Sequence, residues 1–312
     1  TFSYRYATSK ADPANDNDVS RIINFPVTDY NQRNDQRSSE NTFQVDYVYP
    51  GKNLTVEGGV KGIFRNNKSD FQYFSRNQNT GKFELQALYS DGFNYDQAVL
   101  GAYNAYHYNL ETWSFQGGVR FEQTLIDADF LSNTKNVKQR YSNFFPNIAV
   151  NKTFRNQNSL NIGFSQRMKR PGINRLNPFV DRLNPDFLFT GNPELRPVVV
   201  NSMSAGYNIS RKINFTTGFD YTFIRKMDLP VATYDSIRKV TTSTFANTGR
   251  IDGLSAFVYA NWPVTKDLNV TTNGNVIYFW LEGVADKQVT KTELLTYALN
   301  LSVSYNIQKG WR

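Results

Sequence analysis

Apolar and polar residues alternate one by one along most of the chain. The clearest alternating segments are 42–49, 54–65, 113–122, 143–151, 213–223 and 297–307. A period of two residues predicts β-strands that have one apolar and one polar face. Several of these segments reach about ten residues, whereas strands of soluble sheets average roughly 5–6. A strand that crosses a membrane needs roughly 9–11 residues, so these lengths indicate membrane-spanning strands.

The connections between these strands are of two kinds. Short turns are predicted near 50–53, 109–111, 155–158, 210–212, 263–267 and 308–310. Long polar loops are predicted at about 9–40, 66–94, 127–140, 169–197, 228–242 and 282–293. Short turns at one rim and long loops at the other are typical of outer-membrane barrels. We therefore predict an all-β fold, an antiparallel meander of about twelve long transmembrane strands, with residues 1–312 forming one partial barrel domain.

The polar face of the predicted strands carries charge, and the strand ends carry aromatic residues. Charged members of the polar set are Glu57, Lys61, Arg65, Arg120, Glu122, Arg167 and Asp220. A Lys or Arg that faces lipid at mid-membrane costs about 2–4 kcal/mol, whereas the interior of a barrel accepts it. Tyr and Trp residues near the strand ends suit the interfacial girdles of such a barrel. The alternative is a large soluble sandwich, propeller or lectin whose core the aromatic residues fill.

Composition narrows the functional classes. The chain has 312 residues, a net charge of +8, a mean hydropathy of −0.55 and 15% aromatic residues. No segment approaches the roughly 18 consecutive apolar residues of a membrane helix, and the many aromatic residues argue against disorder. The absence of Cys excludes thiol catalysis, disulfides and thiolate metal sites. The basic residues are spread along the chain, which argues against a nucleic-acid partner.

Candidate catalytic and metal-binding residues are few. His107 is the only His, and no motif places a nucleophile beside it, so a lumen or rim position is favoured over catalysis. Asp127 and Asp129 share a strand face and could bind Ca²⁺. A second cluster comprises Asp12, Asn15, Asp16, Asn17 and Asp18. It lacks the Gly and Glu of an EF-hand, and solvated loop charge is favoured for both groups. We predict no enzymatic activity, no metal site and no cofactor.

The most informative stretch is 164–197, where the alternation breaks and three Asn-Pro pairs follow. Asn-Pro pairs interrupt regular structure, so a long, shaped extracellular loop is predicted. It is rich in basic and aromatic residues: Arg167, Lys169, Arg170, Arg175, Phe179, Arg182, Phe187 and Phe189. These side chains could bind an anionic or hydroxyl-rich ligand. Equally, the loop could have an architectural role over the barrel mouth, and the sequence does not decide between the two.

The same stretch resembles the outer-membrane barrel of TonB-dependent receptors, specifically the large barrels common in Bacteroidota. The residues that carry the resemblance are Arg170, Pro171, Leu176, Asn177, Pro178, Phe179, Gly191, Asn192, Pro193, Leu195 and Pro197. Segments 117–122 and 244–249 are similar to further strands of that family. The resemblance covers most of the chain.

The resemblance implies an energised importer in the outer membrane of a Gram-negative bacterium. Relatives have a barrel of about 22 strands that an N-terminal plug closes and that TonB acts upon. The expected partners are outer-membrane lipid, the TonB complex through a missing N-terminal region, and a small-molecule, siderophore, oligosaccharide or peptide ligand. The alternative is a non-transporting barrel that acts as an adhesin or surface-complex scaffold.

The chain departs from the family pattern in four respects, the first of which is its number of strands, about twelve where relatives have about 22. It contains no plug and no TonB box, and Pro197-Val198 stands where relatives often have Pro-Glu. It begins at Thr1 within an alternating stretch and approaches its end with a turn-like segment, 306–310. We therefore expect it to be part of a longer receptor, with a targeting signal upstream.

Overall fold

The computed structural model describes residues 1–11, 14–15, 29–130, 136–184, 186–285 and 288–307. In these ranges the chain is almost entirely β-structure. The strands are β1 (Phe2–Ala11), β2 (Ala14–Asn15), β3 (Tyr30–Pro50), β4 (Leu54–Arg76), β5 (Phe83–Leu85), β6 (Asp91–Leu110), β7 (Trp113–Phe130), β8 (Asn136–Thr153), β9 (Ser159–Lys169), β10 (Val180–Asn184), β11 (Phe187–Thr190), β12 (Val198–Ser210), β13 (Asn214–Asp235), β14 (Val240–Pro263), β15 (Leu268–Ala285) and β16 (Gln288–Tyr305). A helix of four residues, α1 (Ile173–Leu176), and a 3₁₀ turn, Ala87–Tyr89, complete the described elements. No helix in these ranges is long and apolar enough to cross a membrane.

Twelve of the strands have ten or more residues and form one antiparallel meander. Their order in the sheet is β1-β3-β4-β6-β7-β8-β9-β12-β13-β14-β15-β16. Among the described residues β1 pairs only with β3, and β16 pairs only with β15, so the sheet is open. The predicted meander of about twelve long strands is confirmed.

The two rims of the sheet differ as predicted, but the long connections are mostly strand. Residues 51–53, 111–112, 154–158, 211–213 and 264–267 form short turns, while the predicted turn at 308–310 lies outside the described residues. At the opposite rim β4 continues to Arg76, and β13 pairs with β14 as far as Asp235 opposite Val240. The prediction of loops is therefore wrong over most of 66–94, 127–140, 228–242 and 282–293. Beyond the membrane both faces of a hairpin meet polar surroundings, so apolar and polar residues no longer alternate. The strands persist there because their backbone N–H and C=O groups still pair with each other.

The strand register divides the sheet into an outward and an inward face, because successive residues point to opposite sides. Val60 lies between Val45 and Ala102, and Ile148 lies between Gly117 and Phe164. Large apolar side chains that share this face are strongly exposed: Val45, Val60, Leu100, Phe115, Phe144, Ile148, Ile162, Met203, Phe219, Leu254, Val276, Tyr297 and Leu299. Soluble monomers rarely expose a continuous apolar belt of this extent, so we assign the outward face to lipid.

One pair of neighbouring residues tests this division directly. Met203 faces outward with 48% exposure, whereas Ser204 faces inward, opposite Gly163 and Asp220. We expect Met203→Arg to destabilise the barrel by about 2–4 kcal/mol, because it places a charge in lipid. Ser204→Arg should have little effect, because its charge lies in the polar interior beside Asp220. Urea unfolding in phospholipid vesicles measures the stability of both variants. Equal destabilisation by the two would contradict the assignment of the outward and inward faces.

Candidate functional site

Residues 171–197, hereafter the inner segment, fold onto the inward face of the sheet. Leu176 and Leu195 are each 2% exposed and pack with Phe93, Tyr95, Ile126 and Ala128 of β6 and β7. On another part of the wall, Phe179 stacks on Phe71 of β4 and packs against the cluster of Tyr30, Phe71 and Tyr73. All of these wall residues belong to the inward-facing set. The inner segment is therefore a lid over the interior rather than a loop that projects outward.

Polar contacts attach the inner segment to both sides of the curved sheet. On the β4 side, Asn177 Nδ2 donates to Ser69 Oγ at 3.0 Å. On the β14 side, Asn192 Nδ2 donates to the carbonyl oxygen of Phe245 at 2.9 Å. There β11 also pairs in parallel with β14 from Phe187↔Thr241 to Phe189↔Ser243. Since β4 and β14 are separated by six strands in the sheet, the inner segment spans the interior.

Two arginines of the motif region make ion pairs with the wall. Arg175 Nη1 lies 2.5 Å from Asp228 Oδ2, and the Asp228 side chain is 5% exposed. Arg170 Nη2 lies 2.5 Å from Glu122 Oε2, whose side chain is 12% exposed. A second arginine, Arg120, contacts the same carboxylate at 2.9 Å. Both carboxylates are thus compensated by a guanidinium, as buried charges require.

Two of the Asn-Pro motifs of the inner segment are joined to each other. The Gly191 N–H donates to the Asn177 carbonyl oxygen at 2.9 Å, and the Asn192 N–H donates to the Arg175 carbonyl oxygen at 2.7 Å. A Cβ on Gly191 would lie 2.3 Å from the Asn177 oxygen, so only glycine fits. In both motifs the Asn side chain also accepts from the backbone two residues on, at Phe179 and at Glu194. These contacts give the sequence motif a physical basis.

The predicted ligand-binding residues fall into two groups. Arg170 and Arg175 are held in the ion pairs above, and Phe179 and Phe189 contact Phe71 and Phe245, respectively. Arg167 and Lys169 are exposed on the inward side of β9, and Phe187 is 62% exposed. Arg182 lies in β10, but its side chain is outside the described residues. A role of this set in ligand binding stays a prediction.

A cavity of about 250 Å³ lies between the inner segment and the inward face of β3 and β4. Its wall includes Gln32, Asn34 and Gln36 from β3, together with Phe71, Phe179 and Phe189. The three amide residues were not predicted from the sequence, because they fall in the predicted polar loop 9–40. Their spacing of two residues was the signal that could have found them. We refer to this feature as the amide cavity.

The pKa of a phenol beside the amide cavity is raised by its surroundings. Tyr30, at the start of β3 and outside the lipid-facing part of the strand, is 3% exposed. Burial, with the nearby Tyr73 and Asp181, raises the pKa of Tyr30 to about 12. Deprotonation of Tyr30 is therefore even less favourable than that of a solvent-exposed tyrosine.

The other candidate residues are engaged locally. His107 Nε2 lies 3.8 Å from Glu57 Oε1 on the inward face. Asp127 contacts Lys138 at 3.2 Å, and Asp129 accepts from Asn136 at 2.5 Å. No group of three or more possible metal ligands occurs among the described residues. Asp12, Asp16, Asn17, Asp18 and the side chain of Asn15 lie outside the described residues.

A family model described as the outer membrane protein beta-barrel family matches residues 1–312. The chain belongs to this family. Membership confirms the predicted location in the outer membrane and the predicted barrel fold. A search of curated proteins finds none that matches the chain.

Solved structures with the same fold include two receptors and a transporter. The copper transporter OprC aligns over 99% of this chain and 54% of its own, with a TM-score of 0.61 and 12% identity. The ferric yersiniabactin uptake receptor FyuA from Yersinia pestis aligns over 96% of this chain and 50% of its own, with a TM-score of 0.56 and 13% identity. The Serratia marcescens hemophore receptor HasR, a double mutant in complex with its hemophore HasA and heme, aligns over 99% and 61%, with a TM-score of 0.58 and 10% identity.

These similarities establish a shared fold. The present chain spans between 50 and 61% of the length of these three protein chains.

Proposed function

We propose that residues 1–312 are the barrel portion of a receptor that imports a ligand across the outer membrane with energy supplied through TonB. The observation that carries the proposal is the inner segment, which spans a polar interior in a fold shared with uptake receptors. A barrel that served only as a surface anchor would have no need of a lid fixed to both sides of its interior. The inward face offers the charged and amide side chains that a solute path requires, while the outward face is apolar.

In this proposal the chain supplies the path and the outer lid, and it performs no covalent chemistry. The ligand enters from the rim with the long hairpins, where the inner segment and the exposed Arg167 and Lys169 meet it first. A plug and a TonB-contacting segment lie N-terminal to Thr1 in the complete protein. The barrel wall holds the plug at rest, and TonB displaces the plug during import.

The decisive measurement is binding of TonB to the protein made from its complete reading frame. We expect the purified periplasmic domain of TonB to bind this protein in detergent with a micromolar Kd, measured by biolayer interferometry. The matched control is the same protein without only its TonB-contacting segment, with the plug and all barrel strands kept, which should not bind. Absence of binding, together with a reading frame in which a signal peptide leads directly into β1, would instead support the adhesin or scaffold function.

A further inference from the structure

An open groove of about 450 Å³ lies on the outward face of the sheet, across β4, β6, β7 and β8. Its floor is a cross-strand row in which Phe64 pairs with Ala98 and Ala98 pairs with Leu125. Phe64 and Leu125 are 44% and 40% exposed. The row continues on β8 with Arg140, which lies opposite Leu125. The floor of the groove therefore combines apolar side chains with one guanidinium.

A second row of outward-facing residues lies two positions further towards the long hairpins. It is polar throughout and consists of Asn66, Asp96, Asp127 and Lys138, each opposite the next. The groove thus crosses the extracellular edge of the apolar belt. Lipid acyl chains contact the belt itself, so a lipid headgroup lies at the depth of this edge.

Two charged side chains of the groove have no ionic partner. Asp127 and Lys138 compensate each other at 3.2 Å. Within the described ranges, the exposed Arg140 makes no ion pair. The exposed Asp96 accepts from the neutral Asn66 Nδ2 at 2.6 Å but meets no cation among the same residues. The groove therefore offers a guanidinium level with the apolar floor and a carboxylate further out from the membrane.

This order of groups matches a phosphoethanolamine headgroup, in which a phosphate follows the acyl chains and a primary ammonium follows the phosphate. The planar guanidinium of Arg140 fits the phosphate oxygens, and the Asp96 carboxylate accepts from an ammonium. The acyl chains then lie on Phe64 and Leu125. Asp96 and Arg140 are two strands and one row apart, so their backbones are separated by about 12 Å. The long arginine side chain and a headgroup of this size bridge that distance.

Other phospholipid headgroups fit the groove less well. Phosphatidylglycerol leaves Asp96 without a cation and adds a negative charge beside two carboxylates, which is unfavourable. Phosphatidylcholine carries a quaternary ammonium, which has no N–H to donate. We infer that this groove is a binding site for a lipid with a phosphoethanolamine headgroup. The site lies on the outer surface of the barrel, and its occupation does not depend on the import function proposed above.

The test is native mass spectrometry of the detergent-purified protein, made from its complete reading frame. The probe is an equimolar mixture of phosphatidylethanolamine, phosphatidylglycerol and phosphatidylcholine with identical acyl chains. We expect phosphatidylethanolamine to bind about fivefold more tightly than either other lipid, because it alone satisfies both charges. Arg140→Gln should weaken binding of all three lipids, since all carry the phosphate. Asp96→Asn should abolish the preference for phosphatidylethanolamine over phosphatidylcholine.

Arg37→Gln is the matched control for Arg140→Gln. Arg37 lies on the outward face of β3, its side chain is 67% exposed, and it is outside the groove. This variant should bind the three lipids as the unchanged protein does. Circular dichroism and heat-dependent gel mobility establish that each variant is folded.

Three results would overturn the inference. The first is equal retention of the three lipids, or tighter retention of phosphatidylglycerol, by the unchanged protein. The second is a preference for phosphatidylethanolamine that survives in both groove variants. The third is displacement of the lipid by free O-phosphoethanolamine at the same concentration, because the apolar floor would then take no part in binding.

Discussion

Gly191→Ala is expected to release the inner segment from the wall of the barrel. The added Cβ would lie 2.3 Å from the Asn177 carbonyl oxygen and 2.8 Å from that of Arg175. Both are backbone atoms, so no side-chain rotation relieves the overlap. The two backbone hydrogen bonds that join the Asn-Pro motifs must then lengthen or break. We expect the free energy of unfolding to fall by about 2–3 kcal/mol, as it does for other substitutions that disrupt close packing.

Gly172→Ala is the matched control, since it lies in the same inner segment and no atom comes within 4 Å of the position that its new Cβ would take. Limited proteolysis followed by mass spectrometry measures the effect. New cleavage within 171–197 should appear in the Gly191 variant and not in the Gly172 variant, while the barrel strands stay resistant. An unchanged cleavage pattern in Gly191→Ala would mean that the motif pairing does not hold the inner segment in place.

The membrane-crossing part of the fold was the most predictable from the sequence. Lipid on one side and a polar interior on the other impose strict alternation. The sequence pattern alone therefore indicates that Val60 faces lipid and that Lys61 faces the interior. The strand extensions were not predictable in this way. Residues 66–76 of β4 have the pattern of a polar loop, because beyond the lipid no apolar solvent constrains the outward side chains.

The candidate site was predictable in its location but not in its direction. The sequence singles out the motif from Arg170 to Pro197, yet its inward course depends on partners distant in the sequence. Asp228 lies 53 residues from Arg175, and Phe245 lies 53 residues from Asn192. No local pattern encodes such contacts. The amides of β3 were not predicted for a related reason, because they line a cavity only where the inner segment covers them.

Arg175→Ala is expected to destabilise the barrel by leaving a buried carboxylate without its partner. Asp228, whose side chain is 5% exposed, is the most buried acidic group among the ion pairs of the described residues. Removal of one partner from a buried pair costs about 3–5 kcal/mol. Arg175 itself is 38% exposed, so part of its charge is already screened by water and we expect about 2–3 kcal/mol. The midpoint of urea unfolding in vesicles measures the loss.

Two comparisons isolate the cause. Arg238→Ala removes an exposed partner of Asp235, with side-chain exposures of 82% and 46%, and should leave the midpoint unchanged. Arg175 also lies over the Phe245 ring at 4.8 Å, a contact that Arg175→Ala removes as well. Arg175→Ala combined with Asp228→Asn lacks that ring contact too but leaves no buried carboxylate unpaired. The double variant should therefore be more stable than Arg175→Ala. If it is not, the ring contact rather than the ion pair fastens the inner segment to β13 and β14.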